Sequence, residues 1–91
     1  MGHNENNEDT EKIREIIYYE VDKMLRKIIK DELGIEVVGG GWYADPTKKG
    51  IGFTYIDDFG RIWMNVFFPF KLLSNESRKQ IMEAILKFMN T

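Results

Sequence analysis

Residues 51–68 read IGFTYIDDFGRIWMNVFF, two runs of β-favouring residues around Asp57-Asp58-Phe59-Gly60. Asp at the first position of that turn and Gly at the fourth suit a type I turn closed by a left-handed glycine, so the stretch predicts an antiparallel hairpin. The turn also predicts a register. Asp57 falls opposite Arg61, Tyr55 opposite Trp63, Phe53 opposite Asn65 and Ile51 opposite Phe67, all on one face. The other face then carries Ile56, Ile62, Thr54, Met64, Gly52 and Val66 and reads as the side that helices cover. A tight two-residue turn would slip the register and group Ile51, Phe53, Tyr55, Ile62, Met64 and Val66 against Ile56, Trp63, Thr54, Arg61 and Asn65. In the first register both faces are apolar. A small antiparallel sheet normally wets one side, so this one calls for a second cover.

Working outward, residues 35–44 read as a first strand, with Ile35 and Val37 alternating against Glu36 before Gly39-Gly40-Gly41. Three glycines raise the thought of a phosphate loop. That pattern needs a Lys and a Ser or Thr after its last Gly and then a helix, whereas Trp42 and Tyr43 continue an extended segment. The run reads instead as a bulge or as a point where a helix crosses close to the strand. Residues 45–50, DPTKKG, form a turn-rich connection presenting Lys48 and Lys49, and Pro69 stops the last strand.

A helix is predicted to start at Asp9 or Thr10 and to end at Gly34, with Ile13, Ile16, Ile17, Val21, Met24, Leu25, Ile28 and Ile29 at helical spacing. Residues 1–8 are polar and read as a disordered tail. Ser74, Asn75 and Glu76 open a final helix whose apolar positions are Ile81, Met82, Ile85, Leu86, Phe88 and Met89. The expectation is an α+β fold, with residues 9–91 a single small domain in helix-strand-strand-strand-helix order. A three-stranded antiparallel meander packs with two helices.

Composition narrows the chemistry. The 91 residues contain no cysteine, which removes disulfides, thiolate nucleophiles and sulfur-bound metal sites. The single histidine, His3, lies in the polar tail, away from any catalytic triad. Asp57 and Asp58 are explained by turn chemistry, and no further oxygen ligand falls at a calcium-loop spacing. No enzyme, cofactor or metal is expected. No apolar run approaches the ~20 residues of a membrane helix, and a soluble cytoplasmic protein is the expectation.

Binding is the remaining class, and two surfaces compete for it. If both helices lie on one side of the sheet, Phe53, Tyr55, Trp63 and Phe67 form an aromatic patch, the kind of surface that marks an interface. The first helix carries a wide apolar arc with Tyr18, Leu25 and Ile29 along one edge, a second candidate contact with another copy of the chain. Its opposite face, with Lys23, Arg26, Lys27, Lys30 and Tyr19, is interleaved with acids at spacings such as Asp22 to Arg26 and Lys27 to Asp31, and reads as solvated.

The element order resembles that of double-stranded-RNA-binding domains, in which two helices pack on one face of a three-stranded sheet. In place of their basic helix start this chain has SNESRKQ, with Arg78 and Lys79, and in place of their Gly-Pro-x-His loop it has DPTKKG. The order also resembles the small acidic secretion-chaperone fold, which implies dimers that hold partner polypeptides. The net charge of −2 favours protein over nucleic acid as partner. The expected function is a non-enzymatic, self-associating protein-interaction module. The alternative is nucleic-acid binding through Lys48, Lys49, Arg78 and Lys79 with the sheet aromatics.

Overall fold

The computed structural model describes the backbone of residues 3–45, 47 and 49–91, and their side chains apart from those of residues 3–8, 45, 63 and 64. Its elements are α1 (His3–Leu33), β1 (Gly41–Asp45), β2 (Gly50–Ile56), β3 (Ile62–Pro69), a 3-10 turn (Phe70–Leu72) and α2 (Asn75–Met89). The strands make one open antiparallel sheet in the order β1-β2-β3. The α+β class and the helix-meander-helix order are as the sequence predicts.

The first helix starts earlier than its apolar pattern. Asp9 and Thr10 lie inside α1 rather than capping it, and the polar segment expected to be disordered is helical from His3. Extending a helix that is already anchored costs far less than nucleating one, and no Gly or Pro interrupts residues 3–33. The other end is as expected. Gly34 adopts φ +69° and its N–H donates to the Lys30 carbonyl at 3.0 Å.

The first strand is shorter than predicted, since residues 35–40 lie outside the sheet and Ile35 is exposed. The reason is Arg26 on α1. Its guanidinium donates to the carbonyls of Val37, Gly39 and Gly40 at 3.0, 2.9 and 2.9 Å and is fixed by Asp22 at 2.9 Å, so these carbonyls bond to a side chain instead of a strand. Gly39 and Gly40 both take φ +75° there. The close helix crossing that the glycine run predicts is found at Gly41, where an added Cβ would lie 2.8 Å from the Tyr18 hydroxyl.

The hairpin turn has the expected form. Asp57 and Arg61 pair across it, with Asp57 N–H donating to the Arg61 carbonyl and Gly60 N–H to the Asp57 carbonyl, both at 3.0 Å, and Gly60 has φ +78°. One step further the predicted register fails. Ile56 pairs with Ile62, but Tyr55 pairs with Met64, so Trp63 is an extra residue and β3 carries a bulge. Beyond it Phe53 faces Val66, Thr54 faces Asn65, Gly52 faces Phe67 and Ile51 faces Phe68. In the unbulged register Phe53 and Asn65 share a face, and burying the ring would bury an amide. The bulge separates them and yields, through a different turn, nearly the grouping of the slipped alternative.

The consequence is a clean division of the sheet. Trp42, Ile51, Phe53 and Phe68 point to one side, where they form the core with Ile17, Val21, Leu25, Ile28 and Ile29 of α1 and Ile81 and Ile85 of α2. Both helices therefore cover the same face. The opposite face holds Gly50, Gly52, Thr54 and Asn65, with the half-buried rings of Tyr43 and Phe67 lying across Gly52 and Gly50, where any Cβ would overlap them. The expected aliphatic core face of Ile56, Thr54 and Gly52 is thus the uncovered one, and Ile56 and Ile62 are exposed near the hairpin tip.

The helices run antiparallel. Arg14 and Tyr18 of α1 meet the ring of Phe88 near the end of α2, while Glu32 meets Ser74 and Ser77 at its start. Ser74 caps α2, accepting from the Ser77 N–H at 3.1 Å, and its own N–H donates to the Glu32 carboxylate at 2.7 Å. The Ser77 hydroxyl, followed by the Ser74 amide, holds that carboxyl below its ordinary value. Among the described residues, no helix is long and apolar enough to cross a membrane.

Candidate functional site

The side chains predicted to form an interface do not lie together. Phe53 is fully buried on the helix-covered face, Tyr55 is partly exposed toward the hairpin tip on that same side, and Phe67 is half-buried on the opposite face. The side chain of Trp63 lies outside the described ones. The predicted aromatic patch is corrected by the bulge, which sends Phe53 inward. The Tyr18, Leu25, Ile29 edge is also occupied, because Leu25 and Ile29 are fully buried in the core and Tyr18 is stacked on Trp42.

The cations of the alternative reading are partly brought together. Lys49 and Arg78 line one groove, Lys79 is exposed on α2, and Lys48 lies outside the described residues. The interleaved face of α1 forms both predicted ion pairs, Asp22–Arg26 and Lys27–Asp31, each at 2.9 Å.

That groove, of about 1000 Å³, lies between α2 and the end of the sheet. Its origin lies in the pattern of α2. Ile81 and Ile85 are buried in the core and Phe88 turns toward α1, whereas Met82, Leu86 and Met89 form a neighbouring stripe at i, i+4 and i+7 that stays 46–65% exposed. Ala44 of β1, Gly50 of β2, Pro69 at the end of β3 and Phe70 of the 3-10 turn complete the wall. Lys49, Lys71 and Arg78 stand around it, and among the described lining residues there is no carboxylate. Arg78 is steadied by the Asn75 side-chain oxygen.

This arrangement suits an apolar partner bearing negative charge. Methionines adapt their shape to what they meet, and the pair flanking Leu86 gives the groove a deformable floor. Sequence reasoning registered Met82, Leu86 and Met89 as apolar but assigned them no role, and it missed Lys71. The signal was present in the width of the α2 apolar arc, the measure applied to α1 alone. Among the described residues no three His, Asp or Glu side chains converge as a metal site. Asp57 is engaged in its turn, accepting from the N–H groups of Phe59 and Arg61 at 2.9 Å and from the Arg61 side chain at 3.0 Å. Comparison with protein-family models, with curated proteins and with solved structures finds no match to this chain.

Proposed function

We propose that this chain is a non-enzymatic protein-interaction domain that self-associates, and that the groove beside α2 is where it binds. One observation carries the reading: the Met82, Leu86, Met89 stripe stays uncovered beside a groove of about 1000 Å³, although the rest of the core closes around fully buried residues. An apolar groove flanked by a helix is a recurring way of receiving an amphipathic segment. The described lining offers amines and a guanidinium but no carboxylate or imidazole, which supports binding over acid-base catalysis. A reducing, cytoplasmic setting belongs to the same proposal, on the absence of cysteine.

Sedimentation velocity across a concentration series tests it. The expected result is a reversible shift toward dimer that Leu86→Glu abolishes while the far-ultraviolet circular dichroism is kept. A strictly monomeric wild type would remove the self-association claim.

A second reading, nucleic-acid binding, draws support from Lys49, Lys71 and Arg78 meeting at one groove. It no longer has a stacking platform in Phe53, Tyr55 and Phe67, because Phe53 is buried, Tyr55 lies exposed toward the hairpin tip and Phe67 is on the opposite face. Binding to mixed RNA and DNA oligomers at low salt decides it, because low salt maximises phosphate attraction.

A further inference from the structure

The groove has a complement on the same chain. At 1.5 Å per residue α1 is about 46 Å long and α2 about 22 Å, and the antiparallel contact places Arg14 and Tyr18 at Phe88, close to the last turn of α2. The part of α1 before Arg14 therefore projects past the end of its companion helix. Every residue from 9 to 16 is exposed, and Ile17 is the first described side chain of α1 to enter the core. Ile13 on this arm and Ile16, where the arm joins the packed part of α1, are nevertheless 50% and 58% exposed. Asp9, Ile13, Ile16 and Glu20 follow one another at i, i+4, i+7 and i+11 and so share one helix face, apolar in the middle and acidic at both ends, with Lys12 at its border.

From this charge complementarity we infer that the occupant of the groove is the α1 arm of a second copy. This inference rests on the groove being the binding surface. Ile13 and Ile16 lie against Met82, Leu86 and Met89, and Asp9 and Glu20 approach Lys49, Lys71 and Arg78. The arm projects beyond the end of α2 that carries Met89, and the groove lining runs along α2 from Arg78 to Met89, so the arm starts beside one end of the groove. That placement lets two copies exchange arms about a two-fold axis, which makes the contact twice and leaves no open end, in the manner of most homodimers. The partner groove covers apolar side chains that the monomer leaves in water.

Because the chain has no cysteine, the pairing is read directly by crosslinking. Ile16→Cys chains are mixed with Leu86→Cys chains under mild oxidation, and Lys27→Cys, exposed elsewhere on α1, replaces Ile16→Cys in the control. The expected result is mixed disulfide several-fold above that of the control pair and above either variant alone. Sedimentation of Ile13→Glu/Ile16→Glu is expected to show loss of the dimer as complete as for Leu86→Glu, with unchanged circular dichroism. If Leu86→Glu breaks the dimer but the arm variant does not, and Leu86→Cys crosslinks chiefly to itself, the arm proposal is overturned while the groove stands. A wild type that stays monomeric at every concentration overturns both.

Discussion

Tyr18 and Trp42 bind each other in both directions: the Tyr18 hydroxyl donates to the Trp42 carbonyl at 3.0 Å, and the Trp42 indole N–H donates to the Tyr18 carbonyl at 2.9 Å. Their rings stack with centroids 4.8 Å apart and planes 17° from parallel. Phe88 packs against both rings, so this pair joins α1, β1 and α2 in one contact.

Tyr18→Phe keeps the stack and deletes one hydrogen bond, leaving the Trp42 carbonyl short of a donor. The expected cost is about 1 kcal/mol in urea unfolding. Burial first, and then the Asp22 carboxylate, hold the Tyr18 phenol above its ordinary value of 10.0. A raised folded-state value means the unfolded chain releases its proton first. The associated stability is present in full below about pH 10 and is lost as pH climbs through the folded value. Tyr18→Phe is expected to flatten that alkaline decline, measured as the urea midpoint between pH 9 and 11.

Arg26 closes the loop after α1 by holding three carbonyls, and its guanidinium also lies 4.9 Å from the Phe53 ring centroid. Arg26→Lys keeps the charge but not the planar fork that reaches several acceptors at once. A loss of about 2 kcal/mol is expected, with faster amide exchange confined at first to residues 35–41.

Glu32 ties the end of α1 to the start of α2, and its lowered folded-state value works in the acidic direction. That contribution is present above the unfolded value, near 4.5, and is lost as pH falls through the folded one. Glu32→Gln is expected to reduce stability at pH 7 and to weaken its dependence on pH between 5 and 3, measured by thermal unfolding.

Two glycines on the uncovered face are expected to respond unequally. A Cβ at Gly50 would meet the Phe68 carbonyl oxygen at 2.6 Å as well as the Phe67 ring, and backbone cannot swing aside. Gly50→Ala is expected to cost about 2 kcal/mol or more. At Gly52 the obstacle is the outer part of the Tyr43 ring, whose hydroxyl donates to Asn65 at 2.8 Å. Gly52→Ala is expected to displace that ring at a cost of less than about 1 kcal/mol, visible as shifted Asn65 amide resonances.

Local signals made the element order legible. Asp57 and Gly60 announced the turn, Gly34 the end of α1, and Ser74 the start of α2. The bulge at Trp63 was not legible from the turn, because it answers to a tertiary demand, that Phe53 go inward and Asn65 outward. Its single residue decided which side of the sheet was core and dispersed the predicted aromatic patch. Arg26 read as a surface cation, and nothing local shows that three carbonyls of a later loop converge on it. For the groove, the apolar stripe was visible in α2. The surrounding cations come from three segments and become neighbours only through the fold.

Methyl spectra of the methionines test the central claim most directly, since Met82 and Met89 line the groove and Met24 packs against the core. Over a dilution series of the wild-type protein, the Met82 and Met89 methyl resonances are predicted to move together with concentration while that of Met24 stays fixed. Resonances of Met82 and Met89 that do not move across the series would contradict the assignment of the groove as the binding surface.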